Sequence, residues 1–146
     1  MKPWNHEAIE ISDINQMPEG TIGFIYAIIN IATDKFYIGK KNIHSTRNIP
    51  LGKKALAERT DKRLSKKKKV IKESDWKTYM GSEPTLKEDI KTYGDDNFLR
   101  GILCFCSSKK SLTYQEIRYQ ILGGCLEKDN CYNSNILGKF FRSDAK

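Results

Sequence analysis

The stretch that decides the fold is residues 21–39, TIGFIYAIINIATDKFYIG. Its first part, 21–31, is rich in isoleucine, phenylalanine and tyrosine, the residue types that favour β-strands. The short segment Ala32-Thr33-Asp34 separates it from a second run of the same kind, 35–39. Two such runs joined by a short polar connection predict a β-hairpin.

Downstream of this hairpin the sequence predicts a helix, a strand and a second helix. The first helix is placed between Pro84 and Gly94, because proline is favoured at a helix start and glycine past its end. Residues 98–106 (FLRGILCFC) predict the strand, and residues 112–122 (LTYQEIRYQIL) the second helix. This order predicts an α/β (α+β) fold, a small, mainly antiparallel three-stranded sheet flanked by helices.

Length and composition exclude several classes of protein. The 146 residues suffice for one domain with its own core, and 38% hydrophobic with 30% charged residues is typical of a globular chain. No apolar run approaches the roughly 18 residues of a membrane span, so no membrane partner is expected. The opening residues, MKPWNHEAIE, lack the apolar core of a secretory signal, so we expect a cytoplasmic protein.

The positive charge is confined to one segment. The formal net charge is +8, and residues 52–72 hold ten basic and two acidic side chains. The other 125 residues hold 16 of each sign and are therefore neutral. Positive charge that is concentrated in one segment favours a localised contact with a polyanion, and a nucleic acid is the first candidate. A solvated basic loop is the alternative.

The four cysteines are expected to be reduced thiols. They are Cys104, Cys106, Cys125 and Cys131, and without a secretory signal disulfides are not expected. Their spacing matches none of the common zinc knuckles, so zinc binding is the weaker alternative.

The hairpin also carries the first two parts of an ordered motif set. Tyr26 ends the run G-F-I-Y, and Tyr37 opens Y-I-G eleven residues later. Arg47 follows ten residues after Tyr37, Glu116 lies in the second predicted helix, and Asn133 comes late in the chain after a tyrosine. The set resembles the GIY-YIG nuclease family, over residues 22–135 or thereabouts.

Two features depart from the family pattern, and others narrow the resemblance. Phe24 separates the first glycine from Ile25 and Tyr26, and Leu51 stands where similar nucleases carry a histidine or tyrosine. The runs 37–41 and 74–82 are similar to small stand-alone GIY-YIG proteins of bacteriophages.

The resemblance implies a metal-dependent DNA endonuclease that hydrolyses phosphodiester bonds with a tyrosine-assisted water and a single Mg²⁺ ion, for which Mn²⁺ can substitute. Glu116 would bind the metal. Tyr26 would act as general base or hold the attacking water, and as a base it requires its pKa to be lowered from about 10. Tyr37 would position the water or phosphate, Arg47 would hold phosphate oxygens through its planar fork, and Asn133 would brace the site through hydrogen bonds.

Further residues are candidates for the same site or for DNA binding. Lys40 and His44 are additional catalytic candidates near the second tyrosine. The basic insert, residues 48–74, is expected to grip backbone phosphates. The candidate DNA-binding residues are Lys41, Lys53, Lys54, Arg59, Lys62, Arg63, Lys66, Lys67, Lys68, Lys69 and Lys72.

The expected organisation is an N-terminal extension (1–20), in which the alternation of AIEISDI (8–14) allows an edge strand, a nuclease domain (21–138) and a C-terminal tail (139–146). The expected partner is double-stranded DNA, and the sequence does not decide whether the chain forms a homodimer on DNA. A phage homing-type or site-selective enzyme, acting in the bacterial host cytoplasm, is the first hypothesis. A restriction or structure-selective nuclease of the same family is the second. A non-catalytic nucleic-acid-binding protein is the alternative from another class.

Overall fold

The structure is a computed structural model that describes residues 1–58 and 67–146. Four candidate DNA-binding residues, Arg59, Lys62, Arg63 and Lys66, lie outside the described residues. The strands are β1 (Trp4–His6), β2 (Ile9–Ile11), β3 (Gly23–Asn30), β4 (Phe36–Asn42), β5 (His44–Pro50), β6 (Lys67–Glu73), β7 (Phe98–Cys106), β8 (Asn135–Ile136) and β9 (Phe140–Phe141). The α-helices are α1 (Lys53–Glu58), α2 (Pro84–Tyr93) and α3 (Lys109–Leu122). Short 3-10 helices span Ile14–Gln16, Trp76–Thr78, Asp95–Asn97 and Arg142–Ala145.

The main sheet has five strands in the order β2-β1-β7-β3-β4. The predicted hairpin is confirmed, because β3 and β4 pair antiparallel from Gly23–Asn42 to Ile29–Phe36. The predicted third strand is β7, which pairs antiparallel with β3. The mixed α/β architecture expected from the sequence is therefore present.

The sheet differs from the prediction in having five strands rather than three. β1 runs parallel beside β7, and β2 forms the far edge. Two short strands of the segment 1–20 thus pair into the main sheet. The anchor of this segment is Trp4, which is 1% exposed and donates its indole N–H to the carbonyl of Trp76 at 2.7 Å. β2 lies within the alternating stretch 8–14, whereas β1 is too short to show the alternation by which the sequence reveals longer strands.

The two faces of the sheet bury different sets of side chains because successive residues of a strand point to opposite faces. Phe24, Tyr26 and Ile28 of β3 pack in one core with Trp76 and with Leu86 of α2. A second core, on the face that α3 covers, is built from the buried side chains Ile25, Ile38, Cys106, Leu112, Cys125 and Cys131. The sheet is therefore covered on both faces, with β4 at one edge.

The described strand residues of the basic insert belong to a second, two-stranded sheet. β5 and β6 pair antiparallel from His44–Glu73 to Pro50–Lys67. Like charges that follow one another repel, which disfavours an ordered segment, yet Lys67–Lys69 lie in β6. In a strand neighbouring side chains alternate between faces, which separates adjacent lysine charges, and the ladder with β5 satisfies the backbone.

The C-terminal tail is tied to the domain by one arginine. Arg142 donates to the carbonyls of Lys128 (2.8 Å), Cys131 (2.5 Å) and Asn133 (3.3 Å). All four cysteines are free thiols. Among the described residues no helix is long and apolar enough to cross a membrane.

Candidate active site

The edge of β4 is covered by the C-terminal segment along only part of its length. The N–H of Phe36 donates to the carbonyl of Asn130 at 2.9 Å, and the N–H of Tyr132 donates to the carbonyl of Phe36 at 2.7 Å. One residue later the side chain of Asn133, rather than the backbone, forms the hydrogen bonds to β4. Its Nδ2 donates to the carbonyl of Ile38 (2.8 Å), and its Oδ1 accepts the Ile38 N–H (3.0 Å). This buried amide extends the edge by one more hydrogen-bonded pair.

A cleft of about 330 Å³ opens where this covering ends. It brings together four of the seven candidate catalytic residues, from β4, α3 and the C-terminal segment. These four are Tyr37, Lys40, Glu116 and Asn133.

Glu116 is one of two half-buried carboxylates that line this cleft, and Glu83 is the other. Burial raises its pKa, and Lys40 opposes that rise through the charge of its ammonium group and a hydrogen bond from its backbone N–H. Lys40 Nζ is itself held by the hydroxyl of Thr113, one helical turn before Glu116, at 3.1 Å. Three alternate N–H groups along the edge of β4 are thus hydrogen-bonded: Phe36 to the Asn130 carbonyl, Ile38 to Asn133 Oδ1 and Lys40 to the Glu116 carboxylate.

The two motif tyrosines lie against Gly39. Their ring centroids are 6.0 Å apart, and Tyr26 directly faces Gly39 across the β3–β4 ladder. A Cβ atom on Gly39 would come within 2.7 Å of the Tyr26 hydroxyl and 2.9 Å of Tyr37 Cε1. The motif glycine is thus required by close approach of both rings and not by its backbone dihedrals.

Tyr26 occupies a different environment from the one that its predicted role as a base requires. It is 1% exposed, and burial together with Tyr37 and Tyr79 raises the pKa of its hydroxyl well above the usual value. The expected lowering of this pKa is therefore not seen in the unliganded protein. Burial also raises the pKa of Tyr37, whose hydroxyl lies 3.4 Å from that of Ser82.

The register of the sheet shifts beside Tyr26. Ile25 faces Cys104 across β3 and β7, whereas Tyr26 faces Ile102, so Leu103 is an extra residue on β7. Such β-bulges reorient the neighbouring side chains and are enriched next to active sites.

Arg47 and His44 lie outside this cleft. Both are exposed residues of β5, where Arg47 faces Val70 of β6. His44 lines a neighbouring cleft of about 410 Å³ together with Lys40, Lys41 and Lys109. Lys40 is common to both clefts, so they are adjacent.

Comparison with known proteins shows the family. The profile described as "Putative endonuclease segE, GIY-YIG domain" matches residues 4–136. The chain belongs to the GIY-YIG endonuclease family. The match begins at residue 4 and so includes β1 and β2 of this GIY-YIG domain.

One curated relative gives a consistent picture. The chain is 30% identical over 89 residues to "Putative endonuclease segC" of Enterobacteria phage T4. These residues are 61% of this chain and 30% of the relative, so the match spans less than a third of that longer protein. No solved structure matches the chain.

The residues of the cleft fit a single hard metal ion, and members of the GIY-YIG family are generally metal-dependent. Within residues 1–58 and 67–146 no group of three or more histidine, cysteine, aspartate or glutamate side chains could hold a metal. Glu116 is nevertheless a carboxylate whose burial is only partly offset by Lys40. Mg²⁺ commonly takes one or two protein carboxylates and keeps several waters, which this cleft can accommodate.

Three supporting residues of the GIY-YIG domain escaped the sequence analysis. Gln120 donates its Nε2 to the carbonyl of Ile38 at 3.0 Å. Ser82 approaches the Tyr37 hydroxyl, and the hydroxyl of Tyr79 hydrogen-bonds Tyr26. Only Gln120 had a signal in the sequence, because it follows the candidate Glu116 by four residues and so shares its helix face.

Proposed function

We propose that this chain is a Mg²⁺-dependent DNA endonuclease whose active site is the cleft at the edge of β4. The observation that carries the proposal is the convergence of Glu116, Tyr37, Lys40 and Asn133 on that cleft. Hydrolysis of a phosphodiester needs a positioned water, positive charge at the phosphate and stabilisation of the leaving oxygen. A carboxylate, a phenol and an ammonium group in one cleft supply these needs once a metal is bound.

Glu116 would hold the Mg²⁺ ion, and Mn²⁺ would be accepted by the same oxygen ligand. When bound, the metal supplies Lewis-acid stabilisation of the charge that develops on the phosphate and leaving oxygen. Lys40 places an ammonium group beside the same carboxylate, where it would bind a phosphate oxygen of the substrate. Asn133 would act by fixing the backbone of Ile38 between Tyr37 and Gly39.

The tyrosine pair would order the attacking water. Tyr37 lines the cleft, and Tyr26 lies beneath it with a protonated hydroxyl at neutral pH. For Tyr26 to accept a proton, the positive charge of a nearby lysine, arginine or bound metal must lower its raised pKa. We therefore expect the proton-accepting form to become more populated, and the reaction faster, as the pH rises.

Arg47 and His44 would act from β5 at the DNA backbone. The Arg47 guanidinium is exposed and suited to bidentate contact with phosphate oxygens. His44 lines the basic cleft that adjoins the Glu116 cleft. The described lysines of the insert would also contact the DNA, together with Lys41; they are Lys53, Lys54, Lys67, Lys68, Lys69 and Lys72.

A phage homing-type or site-selective enzyme is the role we propose within the family. Its support is the match to a phage protein named as an endonuclease, over part of that protein's length. One active site cuts one strand, so a double-strand break would need a homodimer on DNA or two successive events. The substrate would be DNA in the cytoplasm of the bacterial host.

The test is a plasmid assay with the full chain. Supercoiled DNA from several sources is incubated with protein in Mg²⁺ and in EDTA, and open-circle and linear products are separated. Cleavage in Mg²⁺ that EDTA abolishes is the expected result. A salt-sensitive gel shift without cleavage of any of these DNAs would instead support the alternative, a non-catalytic nucleic-acid-binding protein.

A further inference from the structure

β5 and β6 form a two-stranded ribbon outside the main sheet. Its seven residue pairs form a sheet separate from the main one. Every residue of β5 and β6 is exposed or half-buried. An isolated two-stranded hairpin is at best marginally stable in water, so further packing or a bound partner would stabilise this ribbon.

The base of the ribbon is fixed to the strand that carries the active site. Ile43, between β4 and β5, is fully buried, and its N–H donates to the carbonyl of Ile22 at 3.0 Å. Ser74, directly after β6, donates its N–H to the carbonyl of Ile43 (2.7 Å) and its hydroxyl to the carbonyl of Asn42 (2.7 Å). The ribbon is therefore held in a defined position relative to the Glu116 cleft.

The charge of the ribbon identifies the chemistry of its partner. Its fourteen residues include five basic side chains and one acidic one, a net of +4. The basic residues are Arg47, Lys67, Lys68, Lys69 and Lys72. The cleft between the ribbon base and the start of α3 adds Lys40, Lys41 and Lys109 on the path to Glu116. A polyanion that binds the ribbon would thus be led along positive charge to the active site.

The two faces of the ribbon differ. Directly paired residues of antiparallel strands point to the same face. On one face Ser45, Ile49 and Val70 are half-buried. The other face consists only of exposed side chains, in the pairs His44–Glu73, Thr46–Ile71, Asn48–Lys69 and Pro50–Lys67.

This exposed face carries side chains that can distinguish bases. Asparagine pairs with adenine, lysine with the acceptors of guanine, and apolar side chains contact the thymine methyl group. Asn48 and Lys69 lie opposite each other, and the neighbouring Ile71 is 66% exposed. A surface that served only to grip phosphates would have no need of the amide or of the exposed isoleucine.

We propose that the β5–β6 ribbon inserts its exposed face into the major groove of duplex DNA and selects the sequence at which the chain cuts. The major groove of B-form DNA, about 12 Å wide, admits a two-stranded ribbon, whereas the deep and narrow major groove of double-stranded RNA does not. The inference rests on the proposed function for the identity of the substrate. It adds the groove, the recognising residues and the source of specificity.

The test uses full-length protein carrying Glu116→Gln, so that bound DNA stays intact. This protein selects from a library of short duplexes with randomised central base pairs. We expect enrichment of one sequence, and loss of preference at individual base pairs by roughly tenfold or more in Asn48→Ala and Lys69→Ala. Lys87→Ala, an exposed lysine on α2, is the matched control and should keep the full preference.

Two further probes assign the groove. Replacing guanine by 7-deazaguanine in the enriched duplex removes an acceptor that faces the major groove alone, and should weaken binding. A double-stranded RNA of the same sequence should bind more weakly than the DNA. Absence of any enriched sequence, an unchanged preference in both ribbon variants, or equal binding of the RNA would overturn the inference.

Cleavage of plasmid DNA by the wild-type chain, measured in parallel, separates this inference from the proposed function. Cleavage with a sequence preference that the ribbon variants leave unchanged contradicts the ribbon's role only. Sequence-selective binding through Asn48 and Lys69 without cleavage of the enriched duplex contradicts the proposed nuclease function only.

Discussion

The side-chain amide of Asn133 pairs with both backbone groups of Ile38, a residue 95 positions earlier in the chain. Asn133 is 4% exposed, and its Oδ1 also accepts from the thiol of Cys131 at 3.1 Å. Ile38 stands between Tyr37 and Gly39, so this one amide fixes the strand on which the tyrosine pair depends. The position of the site is thus set by a contact between the two ends of the family motif.

Asn133→Asp should disrupt this contact while hardly changing the size of the side chain. One carboxylate oxygen can still accept the Ile38 N–H, but the other would face the Ile38 carbonyl without a proton to donate. We expect the free energy of unfolding to fall by about 2–4 kcal/mol, because a buried charge is left facing an acceptor. Urea unfolding measures the loss. Asn15→Asp, at an exposed asparagine, is the control, and equal stability of the two variants would refute the bracing role.

Gly39→Ala should displace both tyrosine rings. The added Cβ would lie 2.7 Å from the Tyr26 hydroxyl and 2.9 Å from Tyr37 Cε1, closer than real contacts allow. Overpacking of this kind costs about 1–3 kcal/mol, and the shift of the rings should also reduce cleavage. Thermal unfolding and plasmid cleavage are the measurements.

The matched control for this substitution is Gly52→Ala, where a Cβ would meet nothing within 4 Å. Adding Tyr26→Phe to Gly39→Ala removes the hydroxyl in closest contact and should recover part of the lost stability. If Gly39→Ala unfolds and cuts like wild type, the tyrosine pair does not depend on this close approach.

The sequence predicted those parts of the fold whose signal is local. The hairpin, β7 and both long helices follow from apolar runs bounded by turn residues, and the motif set pointed to Glu116 and Asn133. The alternation in residues 8–14 indicated the edge strand in which β2 lies, whereas β1 carries too little periodicity to be predicted and is stabilised by contacts distant in sequence.

The supporting contacts of the site could not be predicted from the sequence either. The bond from Gln120 to the carbonyl of Ile38 joins residues 82 positions apart, and no local pattern specifies such a partner. Burial of Tyr26 reversed the expected direction of its pKa shift, since the solvent exposure of a strand residue depends on what covers the sheet. The strand at Lys67–Lys69 depends on pairing with β5, which outweighs the repulsion expected from the charges alone.

Binding of Mg²⁺ should stabilise the wild-type fold through Glu116. Burial raises the pKa of this carboxyl above its ordinary value of 4.5, so without metal its ionisation destabilises the fold as the pH rises through the raised pKa. Mg²⁺ at about 100 times its Kd would add about 2.7 kcal/mol to the free energy of unfolding. A thermal melt at neutral pH, with and without Mg²⁺, measures this gain.

Glu116→Gln should remove the gain without lowering the melting temperature of the metal-free protein, because it replaces a half-buried charge by a neutral amide of similar shape. Glu127→Gln, at an exposed glutamate, should keep the gain. An equal Mg²⁺ shift in wild type and Glu116→Gln would place the metal elsewhere.

The cleavage rate should depend on pH through Tyr26. Because the pKa of this buried hydroxyl is raised well above 10, its deprotonated form is scarce at neutral pH and increases as the pH rises. We expect the logarithm of the rate to rise with pH up to about pH 9 with a slope of about one. Single-turnover cleavage across this range is the measurement.

Tyr26→Phe should lower the rate and flatten this profile, whereas Tyr114→Phe, at a tyrosine that is 62% exposed, should change neither. If Tyr26→Phe retained both the rate and the slope, Tyr26 would be a core residue and the proton acceptor would lie elsewhere.

The central claim is that the Glu116 carboxylate is what makes this fold a nuclease. The most direct measurement compares plasmid cleavage in Mg²⁺ by wild type, Glu116→Gln and Glu88→Gln, an exposed glutamate on α2, with DNA binding followed by gel shift in parallel. The account predicts that Glu116→Gln loses cleavage by about 100-fold or more yet still binds DNA, while Glu88→Gln cuts like wild type. Undiminished cleavage by Glu116→Gln would contradict it.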